Sequence, residues 1–432
     1  MMFKRNIIFL LLFFCSLSNS QLRIEITEGI KDPVSIAIVP ISWNLDTPPE
    51  VYLDKVISEN LESFGEFTTL SPSNMLSFPS TEEEILYRDW NLLGVDYLVI
   101  GSATPGKDLL DVIVSFSIIN ITRKRVVKRS ISKGSSNFLK SLGHVMSDRI
   151  YKEINGIPGI FSTKITYVNN EVLPKGNYYL RVTDIDGEND SVLFSSPEPI
   201  MSPSWSSDGK EIAYVSFEEG QSRIYIQEVY TGKRKSLKLE PGINGSPNWS
   251  PTDKYLAAVL SKGNNPDIYR YDIKKNKWTR LTNHFGIDTE PDWSPDGKKI
   301  LFTSNRSGTP QIYELNVSTK GIKRKTFEGT YNARGRYTPD GKSIVFVHRK
   351  DGMFHIAVQN LRTGKIKILT DTQLDESPTI SPNGNVIIYA TKDDGVDILA
   401  GISIDGKTRF ILPTNSGGVR EPSWSPLLKS LE

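Results

Sequence analysis

Short runs of alternating apolar and polar residues, each ended by a turn sequence, recur along the C-terminal part of the chain. One copy, DWSPDGKKILFTSN, begins at Asp292 and places a Ser-Pro-Asp-Gly corner between Trp293 and the apolar positions Ile300 and Phe302. Proline presets the backbone of such a corner, and glycine tolerates the positive φ that it requires. Alternation with evenly spaced turns predicts short strands rather than helices.

The bulky residue before each corner returns at a nearly constant interval. The interval is 44 residues throughout, except for 43 residues between Tyr337 and Ile380. The six copies are marked by Trp205, Trp249, Trp293, Tyr337, Ile380 and Trp424. Each unit holds four short strand patterns, which at this interval is typical of propeller blades.

The first and last strand patterns of the series are incomplete in complementary ways. KITYVN, from Lys164, has no marker strand before it, whereas the strand of Trp424 has no second strand after it. We therefore expect the C-terminal strand to complete the blade that begins near Ile165. The fold class predicted for this part is an all-β six-bladed β-propeller closed by the C-terminal strand, with the markers packed between blades.

Residues 34–157 lack the repeat and mix strand and helix patterns. VSIAIVP, VDYLVIG, LLDVIVSFSII and RVVKRSI predict strands, and TPPEVYLDKVISENLESFG, EEEILYRDWNLLG and SNFLKSLGHVMSDRIYKEI predict helices. We predict a two-layer α/β domain over residues 34–157, followed by the propeller over residues 158–432.

Residues 21–33 form a separate short segment in which Leu22, Ile24 and Ile26 alternate with polar neighbours. This pattern predicts a strand, which ends before Asp32-Pro33. A strand at a free terminus can pair with its own domain, or it can add to the sheet edge of another protein. The residues alone leave both alternatives open.

The first twenty residues have the features of a secretory signal peptide. Lys4 and Arg5 precede an apolar run that is short for a bilayer span, and Ser18 and Ser20 stand before a plausible cleavage point. We predict cleavage of residues 1–20 and export from the cytoplasm, with a retained membrane anchor as the alternative. Cys15, the only cysteine, would leave with this segment.

The predicted mature chain has balanced charge. Removing Lys4 and Arg5 from the 52 basic residues leaves 50, against 50 acidic residues. A nucleic-acid-binding protein would show a basic excess or stripe, so we predict no such partner. We also predict no stable membrane insertion, because the mature chain has no second long apolar run.

Motifs for catalysis and cofactor binding are missing or incomplete in this sequence. It contains no G-x-S-x-G elbow and no P-loop, and none of His144, His284, His348 and His355 has a neighbour at metal-ligand spacing. The segment DIDGENDS has part of a calcium-loop pattern, but it is more typical of a turn. We predict no enzymatic activity, metal or cofactor, with a propeller hydrolase or ligand-binding propeller as the alternative.

The loops that enter the marker strands should surround one mouth of the propeller channel. They mix acids, arginines and small polar groups, which suits capture of a protein or peptide, whereas a solvated mouth is the alternative. The candidate contacts are Ser202, Asn244, Ser246, Asp288, Thr289, Glu290, Arg334, Asp375, Glu376, Arg420 and Glu421.

Several segments occur in an order that resembles one known family. They are LRIEITEGI, VSIAIVP, RVTDIDG, MSPSWSSDG, LDESPTISPNG and the closing EPSWSP, and they span the whole chain. Together they resemble the TolB family, periplasmic propeller proteins of the bacterial Tol–Pal system. The repeat alone is shared with other propellers, whereas the order of the segments is specific.

The resemblance implies a non-enzymatic scaffold that supports outer-membrane integrity and constriction at cell division. It implies that the propeller mouth receives the lipoprotein Pal, notably through Ile243, Ser246 and Thr289, although relatives often have a polar or basic group in place of Ile243. It also implies that the N-terminal strand docks on TolA and communicates with the mouth, and that colicins and other Tol or outer-membrane proteins are further partners. The TolA contacts so implied are Leu22, Arg23, Ile24, Glu25, Ile26, Thr27 and Glu28.

Overall fold

The computed structural model describes residues 23–26, 33–108, 110–171, 176–263, 265–414 and 417–428. The predicted signal peptide, its anchor alternative, and residues Leu22, Thr27 and Glu28 lie outside these ranges. Within them, no helix has the length and apolar character needed to cross a membrane.

A mixed sheet forms the centre of the N-terminal domain. Its first strands are parallel because helices connect them, and its last three strands are antiparallel. In sheet order the strands are Phe67–Thr69, Val34–Ile38, Tyr97–Pro105, Asp111–Asn120 and Arg125–Ser135, with Ser42–Trp43 paired to Tyr97–Pro105. The helices are Leu53–Glu62, Tyr87–Leu92 and Leu139–Asn155, with 3₁₀ turns at Pro72–Asn74, Glu82–Glu84 and Ser136–Phe138.

This sheet carries a hydrophobic core on each face, so the prediction of two layers is wrong. Ile36 and Ile38 face the two longer helices, whereas Ala37 and Val39 face the second core, which contains Trp90 of the short helix. A strand that is apolar at every position is typical of a sheet covered on both faces. The second helical pattern, EEEILYRDWNLLG, gives only a 3₁₀ turn and the helix Tyr87–Leu92, which cover the second face.

Six antiparallel sheets follow and form the propeller. The first strand named for each blade is the innermost, and the others follow outward. Blade 1 contains Gly418–Trp424, Lys164–Asn170, Tyr178–Asp184 and Ser191–Ser196; blade 2 contains Ile200–Trp205, Glu211–Ser216, Arg223–Glu228 and Arg234–Ser236; blade 3 contains Asn244–Trp249, Tyr255–Leu260, Asp267–Asp272 and Lys277–Arg280.

Blades 4 to 6 repeat the arrangement. Blade 4 contains Asp288–Trp293, Lys299–Ser304, Gln311–Asn316 and Ile322–Arg324; blade 5 contains Asn332–Tyr337, Ser343–Lys350, Met353–Asn360 and Ile366–Ile368; blade 6 contains Glu376–Ile380, Val386–Asp393, Val396–Ser403 and Thr408–Leu412. The predicted α/β domain followed by a six-bladed propeller is therefore confirmed, whereas the domain boundaries stay predictions.

The C-terminal strand closes the ring, as predicted. Trp424 pairs with Ile165 in an antiparallel register. The indole N–H of Trp424 donates to Thr163 Oγ1 at 2.8 Å, and Ser425 N donates to Lys164 O at 2.9 Å. Residues from the two ends of the propeller thus complete one sheet.

The marker side chains pack between adjacent blades. Trp293 is 7% exposed and shares a core with Val259 and Ile268 of blade 3 and with Ile300 of its own blade. The markers Trp205, Trp249 and Trp424 are buried to a similar extent. The repeat therefore marks the seams that join the blades.

The N-terminal strand forms a fifth strand on blade 6. Arg23–Ile26 pairs antiparallel with Thr408–Leu412, and Ile24 lies opposite Phe410. Of the two alternatives left open by the sequence, the structure has the strand paired within its own chain, but the partner strand belongs to the propeller. The ring of Phe410 also contacts Phe64 of the N-terminal domain, with centroids 5.7 Å apart.

Candidate functional site

The six innermost strands line a central channel with a cavity of about 320 Å³. Each of these strands has a β-bulge at the same place, three residues before its marker. The bulged residues have φ between 46° and 55°, a left-handed conformation that non-glycine residues rarely adopt. We call these six residues the neck: Ser202, Ser246, Glu290, Arg334, Ser377 and Glu421.

One arginine and two glutamates dominate the electrostatics of the neck. Arg334 Nε lies 3.0 Å from Glu290 Oε1, and Arg334 Nη2 lies 3.6 Å from Glu421 Oε1. Glu290 also accepts a hydrogen bond from Thr303 Oγ1, and Glu421 accepts one from the backbone N–H of Ser202. Burial opposes the charge on Arg334, but the carboxylates of Glu290 and Glu421 outweigh it and raise the pKa of Arg334.

A second ring of polar residues lies immediately before the markers and joins neighbouring blades. Asn248 Oδ1 accepts the backbone N–H of Trp293 at 3.0 Å, and Asp292 Oδ2 accepts that of Tyr337 at 2.9 Å. Thr379 Oγ1 accepts the N–H of Trp424 at 3.0 Å. Burial raises the pKa of Asp292, although Arg336 Nη1, 3.6 Å away, opposes this shift.

Five of the residues predicted at the mouth line the channel. They are Ser202, Ser246, Glu290, Arg334 and Glu421. Among the other predicted residues, Ile243 and Arg420 are exposed, whereas Thr289 and Glu376 are half-buried.

Three predicted mouth residues are buried within their own blades. Asn244 donates to the carbonyls of Glu240 and Gly242. Asp288 is fully buried and accepts two hydrogen bonds from the guanidinium of Arg306, at 2.8 and 2.7 Å. Asp375 is fully buried and accepts the hydroxyls of Thr370 and Thr372. These side chains hold the mouth loops in place rather than facing the channel.

Sequence reasoning missed a neck residue and most of an apolar rim. Ser377, and not Glu376, occupies the neck position of blade 6, three residues before the marker Ile380. Six residues before their markers, Ile243, Ile287 and Leu374 are 52%, 47% and 41% exposed. With Met201, which is 39% exposed, we call them the collar. The fixed distance to the markers is the signal that could have identified Ser377, Ile287 and Leu374.

The collar and the neck together have the composition of a protein-binding surface. Exposed apolar groups at the collar surround a recess whose charged groups are already paired. Large side chains around such a recess can anchor a partner, whereas the paired charges at the neck cost little further desolvation.

Two other predicted features have structural roles. The segment Asp184–Ser191 is a turn, in which Asp186 pairs with Lys140 of the N-terminal domain, at 2.8 Å. The only group of three potential metal ligands among the described residues is His144, Asp184 and Asp186. Both carboxylates pair with lysines, so we interpret this cluster as an ion-pair contact between the domains.

Two protein-family models together match most of the chain. A family model described as the TolB amino-terminal domain matches residues 22–127, and one described as the TolB beta propeller domain matches residues 151–428.

Individual relatives match over almost their full lengths. A Tol-Pal system protein TolB from Marinomonas sp. (strain MWYL1) is 57% identical over 99% of this chain and 100% of its own. One from Hahella chejuensis is 54% identical over 98% and 99% of the two chains. The crystal structure of TolB from Acinetobacter baumannii is 38% identical, covers 94% of this chain and 100% of its own, and superposes with a TM-score of 0.85.

Proposed function

The chain belongs to the TolB family of Tol–Pal system proteins, and from this membership we propose that it is a non-enzymatic periplasmic scaffold. In this proposal the propeller mouth binds Pal and the N-terminal strand binds TolA. The protein thereby supports outer-membrane integrity and constriction during cell division.

One observation carries the Pal-binding proposal, namely the exposed collar above a pre-paired neck. Ile243 and Ile287 present apolar surface at the mouth, and Arg334 holds Glu290 and Glu421 in place below it. A partner that covers the collar would remove this apolar surface from water without breaking the ion pairs.

The TolA proposal is supported by the position of the N-terminal strand. Arg23–Ile26 pairs with blade 6 over only four residues and forms the outer edge of the sheet. An extended segment of this kind can exchange one sheet edge for another and regain its main-chain hydrogen bonds there. Blade 6 provides both Leu374 at the collar and Thr408–Leu412 under the strand. In this proposal Pal binds more tightly to the state of blade 6 from which the strand has been released, and so shifts the equilibrium between the paired and the released strand.

Arginines placed at the propeller mouth should abolish Pal capture. In Thr289→Arg/Ser246→Arg, two long charged side chains would fill the mouth and require desolvation on contact. We expect the affinity for purified Pal to fall by about 100-fold or more, measured by isothermal titration calorimetry.

The matched control is Ser318→Arg/Thr319→Arg, which makes similar changes in an exposed outer turn of blade 4. This control should bind Pal normally. If the mouth variant melts like wild type and still binds Pal normally, the mouth is not the Pal site.

Deletion of residues 21–32 should remove TolA binding and spare Pal binding. The deleted segment contains the strand on blade 6 but none of the collar or neck. We expect no measurable TolA capture in a pull-down, with a Pal affinity within about threefold of wild type. Loss of both partners would indicate that the strand is required for the fold itself.

A further inference from the structure

Blades 2 and 5 can be compared position by position because their residues lie at equal distances from their markers. In blade 2, both ends of the Gln227 amide are hydrogen-bonded. Its Nε2 donates to Leu193 O at 2.8 Å, and its Oε1 accepts the hydroxyl of Tyr214 at 2.9 Å.

In the corresponding glutamine of blade 5, only one end of the amide is hydrogen-bonded. Gln359 Nε2 donates to Lys325 O at 2.9 Å, and this bond corresponds to that from Gln227 to Leu193 in blade 2. Gln359 is 4% exposed, and its Oε1 has no hydrogen-bond partner in the described part of the chain. The reason is that Phe346 occupies the place of Tyr214 and lacks its hydroxyl. A buried, unpaired amide oxygen is costly, so it indicates a missing donor.

The space beside this glutamine is also filled differently in the two blades. In blade 2, the guanidinium of Arg234 lies 4.0 Å from the ring centroid of Phe194 and donates to Tyr214 Oη at 3.2 Å. Blade 5 has Ile366 at the position of Arg234 and Thr326 at that of Phe194. A groove of about 320 Å³ lies there, between blades 4 and 5.

The lining of this groove is cationic and includes an exposed aromatic ring. Arg324, Lys325 and Arg362 face one acid, Glu328. Lys325 pairs with Glu314, whereas neither arginine forms an ion pair with a carboxylate of the described residues. Phe327 is 71% exposed, and the guanidinium carbon of Arg324 lies 5.1 Å from its ring centroid.

We propose that the groove between blades 4 and 5 binds an acidic saccharide. The guanidiniums of Arg324 and Arg362 hold its carboxylate, since arginine matches that group with paired N–H donors. A hydroxyl of the sugar donates to Gln359 Oε1, which neighbouring side chains cover in the free protein and uncover on binding, and so takes the place that Tyr214 fills in blade 2. Phe327 provides an apolar surface for the C–H face of the sugar ring.

The test is calorimetric titration of the full mature chain with D-glucuronate, D-glucose and acetate. Glucuronate should bind at least about tenfold more tightly than glucose, which lacks the charge, and than acetate, which lacks the hydroxyls and the ring. Equal binding of acetate would indicate a simple anion site, and equal binding of glucose a neutral sugar site. Either result, or no binding of glucuronate, would overturn the proposal.

Two variants locate the site. Arg362→Gln should weaken glucuronate binding by about tenfold, because it removes a charged donor. Phe346→Tyr should weaken it by about fivefold, because the new hydroxyl satisfies Gln359 from within the blade, as Tyr214 does in blade 2. Arg123→Gln, an exposed arginine of the N-terminal domain, is the charge control and should bind normally. Unchanged binding in both groove variants would place the saccharide elsewhere.

Discussion

Trp293→Ala is expected to lower the free energy of unfolding by about 3–5 kcal/mol, the range for removing a buried tryptophan from a packed core. The indole is 7% exposed and lies between Val259 of blade 3 and Ile300 of blade 4. Its loss would leave a cavity at a seam between two sheets, where neither sheet can close the gap without moving relative to the next. Urea denaturation followed by circular dichroism would measure the loss.

The control for this prediction is Tyr230→Ala, since Tyr230 is 76% exposed in an outer turn of blade 2. This change should alter stability by less than about 0.5 kcal/mol. A Trp293→Ala protein as stable as the Tyr230→Ala protein would contradict the view that the markers join the blades.

Arg334→Met is expected to destabilise the propeller by about 2–4 kcal/mol at neutral pH, because it leaves two neighbouring carboxylates without their cation. Glu290 and Glu421 both face Arg334 across the narrow neck, and Glu421 is 7% exposed. Replacing both glutamates with glutamine would remove their repulsion. The triple variant Arg334→Met/Glu290→Gln/Glu421→Gln should therefore be more stable than Arg334→Met, as measured by the thermal unfolding midpoint.

Arg420→Met is the matched control, since Arg420 is an exposed arginine near the same mouth and bonds to Asn170 Oδ1 at 3.0 Å. Its effect on stability should be small. If the triple variant is no more stable than Arg334→Met, the loss reflects packing and not the ion pairs of the neck.

The architecture of the propeller was predictable because the sequence patterns that determine it are local and repeated. Each corner sequence determines a turn, each alternating run determines a strand, and the regular interval gives the number of blades. The orphan strands at Lys164 and Trp424 also predicted closure, because an open ring would leave two unpaired edges.

The site was predictable only in outline, because burial depends on tertiary packing. Asp288 and Glu290 are two residues apart, yet the bulge turns Glu290 toward the channel and leaves Asp288 paired with Arg306 in the interior. In blade 6 the same bulge places Ser377, and not its neighbour Glu376, at the neck. A polar pattern in a loop cannot show which carboxylate finds an internal partner.

The position of the N-terminal strand could not be predicted from its local sequence, because it also depends on tertiary packing. Its alternation predicted a strand, but Ile24 pairs with Phe410, and no pattern near the terminus indicates so distant a partner. The second core of the N-terminal domain was missed because Trp90 lies on a helix of only six residues, too short for a clear helical period.

The closure of the ring has a consequence for biosynthesis. Ile165 meets Trp424 only after 259 further residues have been made (positions 165 to 424), so blade 1 stays without its innermost strand until Trp424 has been added. During that delay the Lys164–Asn170 strand exposes an unpaired hydrogen-bonding edge, which can pair wrongly with other nascent chains. A premature stop codon before the Gly418–Trp424 strand would therefore leave this edge permanently unpaired and favour proteolysis or aggregation.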